Sequence, residues 1–172
     1  MKYGCLVVLL LVGAMIPKAA QAQVSLYGEF STTDLHNLAT TDYLYGASTG
    51  VLYDGPTIFR HLLVSADIQG RFVKKSSELY NGITVGPRFS IPMKHGFAPY
   101  GEFLVGFARY NSGAVGGSTT DSTIEINAGL AKRITPRLDL VADYSYAQYY
   151  GLGGEYNQKT YGAGVIVHLT KR

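Results

Sequence analysis

The sequence predicts an all-β chain, an eight-stranded antiparallel up-and-down transmembrane β-barrel, and three observations carry that prediction. Apolar and polar residues alternate with a period of two in segment after segment, polar connections separate those segments, and the chain opens with the layout of a secretory signal. Alternation with that period sends successive side chains to opposite faces of a strand. A barrel in a bilayer turns its apolar face to lipid and its polar face to the lumen.

The N-terminal segment comes first. Lys2 supplies a positive charge, and Cys5 to Ile16 is an unbroken apolar or small run that Pro17 and Lys18 end. Ala20-Gln21-Ala22 then offers small residues where a signal peptidase reads them. The expected organisation is a cleaved signal over 1–22 and one barrel domain over 23–172. As a membrane helix the run is too short, since crossing takes roughly twenty apolar residues. Cys5 precedes most of the run, so it is not the acylated cysteine of a lipoprotein. It is the only cysteine, so the mature chain has no disulfide to hold it. Lys2 and Lys18 leave with the signal, which reduces the 15 Lys and Arg to 13 against 12 Asp and Glu. No basic run remains that would take a nucleic acid as partner.

The strands follow in order. The first, near Val24 to Ser31, sets Val24, Leu26 and Phe30 against Ser25, Tyr27 and Glu29. The second, Tyr43 to Tyr53, sets Tyr43, Tyr45, Ala47, Val51 and Tyr53 against Gly46, Ser48 and Gly50. In the third, Arg60 to Phe72, Leu62, Val64, Ala66, Ile68 and Phe72 oppose His61, Ser65, Asp67, Gln69 and Arg71. The fourth, Tyr80 to Ile91, opposes Ile83, Val85, Pro87 and Phe89 to Gly82, Thr84, Gly86 and Arg88. Phe103, Val105 and Phe107 face away from Glu102, Gly106 and Ala108 in the fifth, Tyr100 to Tyr110. The sixth, Thr123 to Arg133, separates Ile124, Ile126, Ala128 and Leu130 from Glu125, Asn127, Gly129 and Arg133. The seventh, Leu138 to Tyr149, separates Leu140, Ala142, Tyr144 and Tyr146 from Asp139, Asp143 and Ser145. The last, Thr160 to Leu169, separates Tyr161, Ala163, Val165, Val167 and Leu169 from Gly162, Gly164 and His168.

A soluble barrel also alternates, but with its apolar face inward. The signal favours apolar-out. So do the Gly-rich opposite faces, which suit a narrow lumen, and the tyrosines near strand ends (Tyr43, Tyr53, Tyr80, Tyr100, Tyr110, Tyr149, Tyr150), which suit an interfacial girdle. Connections are expected to alternate between long external loops, at 32–42, 73–79, 111–122 and 150–158, and tight periplasmic links at Asp54-Gly55-Pro56-Thr57, Pro92 to Phe97 and Thr135-Pro136-Arg137. Both termini then lie on the periplasmic side.

The mature chain resembles the small outer-membrane β-barrel domain family, and is similar to the outer-membrane protein A membrane domain and outer-membrane protein X. The resemblance rests on Gly86-Pro87-Arg88-Phe89-Ser90, on Pro99-Tyr100-Gly101-Glu102-Phe103 with Gly106, on Leu138-Asp139-Leu140 with Asp143-Tyr144, and on the Gly-rich final strand. It implies a bacterial outer-membrane location and no single activity. Its implied partners are outer-membrane lipid and lipopolysaccharide, an extracellular ligand of unknown identity, and the assembly machinery. In such proteins that machinery reads the C-terminal strand. Gly162, Gly164, Val165, Val167 and Leu169 keep the spacing, although the chain ends Leu169-Thr170-Lys171-Arg172 where the family usually ends on an aromatic.

Some barrels of this size modify lipid A, so the residues that such chemistry needs are the next question. The histidines are scattered: His36 on an expected loop, His61 and His168 on inner faces, His95 in a turn. There is no His-x-Ser pair of the deacylase kind, no His-Glu-x-x-His, no Cys pair and no phosphate loop. Asp34, His36 and Asp42 could meet a metal, but a polar loop carries such residues anyway. No cofactor, metal or catalytic residue is expected, and the reading is a non-enzymatic envelope-structural or surface-interaction protein. The alternative is a small porin-like channel or a lipid A-modifying enzyme.

The inward charges carry the site expectation. Asp67, Arg71, Arg88, Glu102, Arg133, Asp139 and Asp143, with Glu29 and Glu125, share a narrow lumen where an unpaired charge is expensive. Paired residues in an antiparallel hairpin keep a constant register and share a face. A turn centred on His95 sets Ile83 against Phe107, Val85 against Val105, Pro87 against Phe103 and Arg88 against Glu102. One centred on Pro136 sets Arg133 against Asp139 and Leu130 against Ala142. N-terminal sequencing of the protein recovered from outer membranes is expected to begin at Gln23; an intact Met1 or a soluble periplasmic product would refute the signal or the barrel orientation.

Overall fold

Branched and aromatic residues alternating with Gly, Ser and Thr favour extended chain, and in the computed structural model they form eight strands. These are β1 (Gln23–Asn37), β2 (Thr40–Ile58), β3 (Leu62–Lys75), β4 (Glu78–Ser90), β5 (Phe97–Ser112), β6 (Gly117–Thr135), β7 (Leu138–Gly151) and β8 (Gly154–His168). The structure describes residues 23–37, 40–58, 61–75, 78–112, 117–151 and 154–169; the signal expected over 1–22 lies outside them. Each strand pairs antiparallel with the next, and β8 closes on β1.

The register sets the barrel's shape. Direct pairs lead from Gln23 to Asp54, Ser65, Arg88, Glu102, Asn127, Ser145 and Thr160, and the next pair lands on Thr33, ten residues further along β1. That stagger tilts the strands against the barrel axis. Eight strands so inclined leave an interior just wide enough for side chains to fill.

The apolar face points out. Leu26, Val51, Ile68, Val85, Val105 and Ile124 follow one another through direct pairs across six strands, and all are exposed. Inside, Ser25, Glu29, Asp67, Arg71, Arg88, Glu102, Glu125 and Asp139 are buried. This inverts a soluble core, so the surrounding solvent must be hydrocarbon.

Four details depart from the sequence reading. The expected external loops are mostly strand: β1 runs to Asn37 and β2 resumes at Thr40, while β6 begins at Gly117. Their Ser and Thr suit a strand wetted on both faces as well as a loop. The turn expected at Asp54 to Thr57 is a register shift within β2, and the link to β3 follows Ile58. Val64, expected to face lipid, is only 2% exposed, because it lies against that shifted stretch, where Gly55 sits over its carbonyl. His61, expected on an inner face, lies in the link before β3 and is exposed.

The other two links match the reading. Pro136 and Arg137 form the β6–β7 turn. Before β5, Lys94–Gly96 makes one 3-10 turn with His95 at φ 65 and Gly96 at φ 77, a left-handed pair that Gly96 adopts without steric cost. The pairs expected around these turns are present, Ile83 with Phe107, Val85 with Val105, and Leu130 with Ala142. Pro87 and Phe103 are not a ladder pair, and Pro87 has no N–H to give.

Arginine at Ile68 or Val85, midway along the wall, is expected to cost about 2–4 kcal/mol, against about 0–1 at Ile58 near the rim. Urea titrations of folding into vesicles would measure both. Equal costs at all three positions would place the belt outside hydrocarbon.

Candidate functional site

The lumen is the one place where the alternation concentrates charge, and the strands fill it in strata. Toward the ends of the strands remote from the termini, Leu44, Val73, Tyr80, Ala108, Ala147 and Tyr149 form a buried apolar cluster. Nearer the termini, Tyr27, Leu52, Tyr100, Ala131, Val141 and Ile166 form another. Between and beneath these lie the polar residues. The tyrosines fit because glycines leave room: a Cβ on Gly50 would sit 2.5 Å from the Tyr27 ring, and one on Gly129 would sit 2.4 Å from that of Tyr100.

In the central stratum the strongest pair spans the lumen from β3 to β6. Arg71 Nη2 lies 2.6 Å from Glu125 Oε1, and Nη1 donates to Oε2 at 3.2 Å, a bidentate contact with both side chains buried. The remaining donors of Arg71 reach Ser48, Gln69 and Ser145. Arg88 lies 3.4 Å from Glu102 and 3.5 Å above the centre of the Tyr100 ring, and Asn127 Nδ2 donates to Glu102 at 2.7 Å. A guanidinium held between a carboxylate and an aromatic face is well compensated for its lost water.

The other site residues have different surroundings. The Tyr27 hydroxyl donates to Asp67, 3.1 Å from each oxygen. Asp143 accepts from Tyr100 at 3.2 Å, and it meets Glu29 over Gly162, whose missing Cβ would lie 2.3 Å from Asp143 Oδ1 and 3.1 Å from Glu29 Oε2. Arg133 lies 3.6 Å from Asp139 but its side chain is 41% exposed, so this pair belongs to the barrel mouth. The second oxygen of Asp139 faces His168 Nε2 at 2.9 Å.

Three tyrosines assigned to the interfacial girdle are inside. Tyr80, Tyr100 and Tyr149 are buried and Tyr110 is partly so, whereas Tyr43, Tyr53 and Tyr150 are exposed. Tyr80 and Tyr149 hydrogen-bond through their hydroxyls, and Tyr149 donates to Gln158. Their parity already showed the inward direction: Tyr80 shares a face with Gly82 and Arg88, and Tyr149 with Asp143 and Ser145. Asp34, His36 and Asp42 form no described site; the side chains of His36 and Asp42 lie outside the described residues.

No protein-family model and no curated protein matches the sequence. Solved structures do match. The crystal structure of Neisserial surface protein A is 15% identical, covers 84% of this chain and 96% of its own, and superposes with a TM-score of 0.63. It has the fold of the small bacterial outer-membrane barrels. The outer membrane enzyme PagL matches at 13% identity over 83% of this chain and 98% of its own, with a TM-score of 0.54. Ail, the attachment invasion locus protein of Yersinia pestis, matches at 17% identity over 84% and 97%, with a TM-score of 0.50.

Glu125→Gln alone is expected to cost about 3–5 kcal/mol, because Arg71 is left charged and buried, whereas the double change Arg71→Met with Glu125→Leu should be near neutral or stabilising. Charge reversal of Arg88 and Glu102 together should likewise recover much of what either reversal loses. Refolding titrations of single and double variants give both couplings, and strict additivity would show that the partners do not meet.

Proposed function

We propose that the protein is a sealed outer-membrane scaffold, serving an envelope-structural or surface-interaction role through the strand ends that rise on its extracellular side. One observation carries this reading. The lumen is closed by two apolar strata, and Tyr80, Tyr149, Leu44 and Leu104 are nearly or wholly inaccessible. Ions need a continuous polar path, and buried aliphatic and aromatic side chains deny it. The porin-like alternative loses support on that ground.

Exposed Lys74 and Lys159, on strand segments far from the termini, put cations beside Tyr45 and Tyr146 on the outer wall, and Arg109 adds an exposed cation on β5. That combination suits the phosphate-bearing headgroups of lipopolysaccharide above an acyl layer. Surface protein and attachment protein are descriptions of the relatives, whose likeness is one of fold. They are compatible with an external role here.

Planar-bilayer recordings on the purified protein are expected to show no steady unitary conductance. Tyr80→Gly combined with Tyr149→Gly, which removes two rings from the upper stratum alone, should still show none, because the lower stratum around Tyr27 and Tyr100 remains closed. Porin-like conductance in the unmodified protein would overturn the sealed reading, and a changed lipid A acyl pattern in a deletion strain would favour the enzymatic alternative.

A further inference from the structure

At the mouth nearest the termini, β1, β7 and β8 bring together three residues far apart in sequence. Ser25 Oγ lies 2.7 Å from His168 Nδ1, and His168 Nε2 lies 2.9 Å from Asp139 Oδ2. A carboxylate only accepts, so in the neutral ring Nε2 carries the proton toward Asp139. Nδ1 is then a lone pair, and the Ser25 hydroxyl donates to it. Arg133 approaches the other oxygen of Asp139 and holds the carboxylate from the opposite side. All three members are buried, Ser25 at 1%, His168 at 3% and Asp139 at 5% exposure.

We propose that Ser25, His168 and Asp139 form a serine-hydrolase triad that opens on the periplasmic mouth and cleaves short-chain esters. Its chemistry is nucleophile, base and orienting carboxylate, with the two ring nitrogens exchanged relative to the familiar serine-protease order. Ser25 and His168 line a cavity of about 30 Å³ together with Arg88 and Ser90. At roughly 10–15 Å³ of such space per water, that is room for about two or three waters, so the acyl group it admits is small, of acetyl size. Arg88 and Ser90 share that wall with Asp54, and the developing oxyanion is assigned to their N–H and O–H groups. This goes beyond the scaffold reading, which concerns the seal and the far rim.

The step balances without any redox partner. The Ser25 oxygen bonds to the ester carbonyl carbon while its proton passes to His168 Nδ1. The carbonyl carbon's bond to the alcohol oxygen breaks, and the alcohol leaves with that proton. Water then attacks the acyl-serine, giving a proton to His168 that returns to Ser25 as the carboxylic acid departs. Asp139 is a positioning residue: it holds the tautomer and stabilises the imidazolium between the two halves.

The rival role is a latch across the β1–β8 seam, since Ser25 and His168 are direct register partners there. Treating the folded protein in detergent micelles with methanesulfonyl fluoride, whose sulfonyl group is close to acetyl in size, then mapping adducts by mass spectrometry, separates the two. A triad gives one adduct, on Ser25, that Ser25→Ala abolishes. His168→Gln, which can still hydrogen-bond Ser25, should slow labelling by about 100-fold or more. Asp139→Asn should lower kcat for p-nitrophenyl acetate with KM unchanged, a split that a latch would not produce. Heat-modifiable gel migration confirms that each variant has folded. A folded wild-type protein that stays unmodified at Ser25, and hydrolyses the ester no faster than Ser25→Ala, would overturn the triad and leave the conductance result untouched.

Discussion

Hydrocarbon cannot hydrogen-bond a peptide group, and the rest of this molecule depends on that constraint. A chain crossing a bilayer as strands must close so that no edge is left unpaired. Closure here is β8 against β1. Once closed with this stagger, the barrel has a fixed narrow bore, and alternation delivers every second side chain into it. The residues inside are therefore chosen for volume and for mutual satisfaction, while those outside need only be apolar.

Volume and satisfaction explain the strata. A lumen filled only with charges would leave too few partners, so the chain confines its strongest pair, Arg71 with Glu125, between apolar layers where the low dielectric strengthens it. Tyrosine serves both layers at once. Its ring packs with Leu44 or Ile166, and its hydroxyl reaches Asp67, Asp143 or Gln158.

Much of the wall was legible because a period of two is a local property. The Arg88–Glu102 and Arg133–Asp139 positions were legible too, since a hairpin's turn fixes which residues face each other. What could not be read was any contact that needs the whole circumference. Arg71 meets Glu125 across the bore, from strands that share no ladder, and only the barrel's stagger decides that they stand at one height. Tyr80, Tyr100 and Tyr149 have a residue type that suits the girdle but a parity that sends them inward, and parity decides. Ser25 and His168 both have inward parity, but their meeting follows from closure and leaves no spacing motif along the chain.

The seam has a consequence for the molecule's birth. Ser25 and His168 lie 143 positions apart, and every pair between β1 and β8 joins the two ends of the barrel sequence. Contacts between distant segments form slowly, because the intervening chain must be ordered first. The first strand to emerge from translocation thus waits for the last. Throughout that wait the nascent sheet carries two open edges and an apolar outer wall, so protection from aggregation must cover the edges and the future lipid face until the final strand arrives.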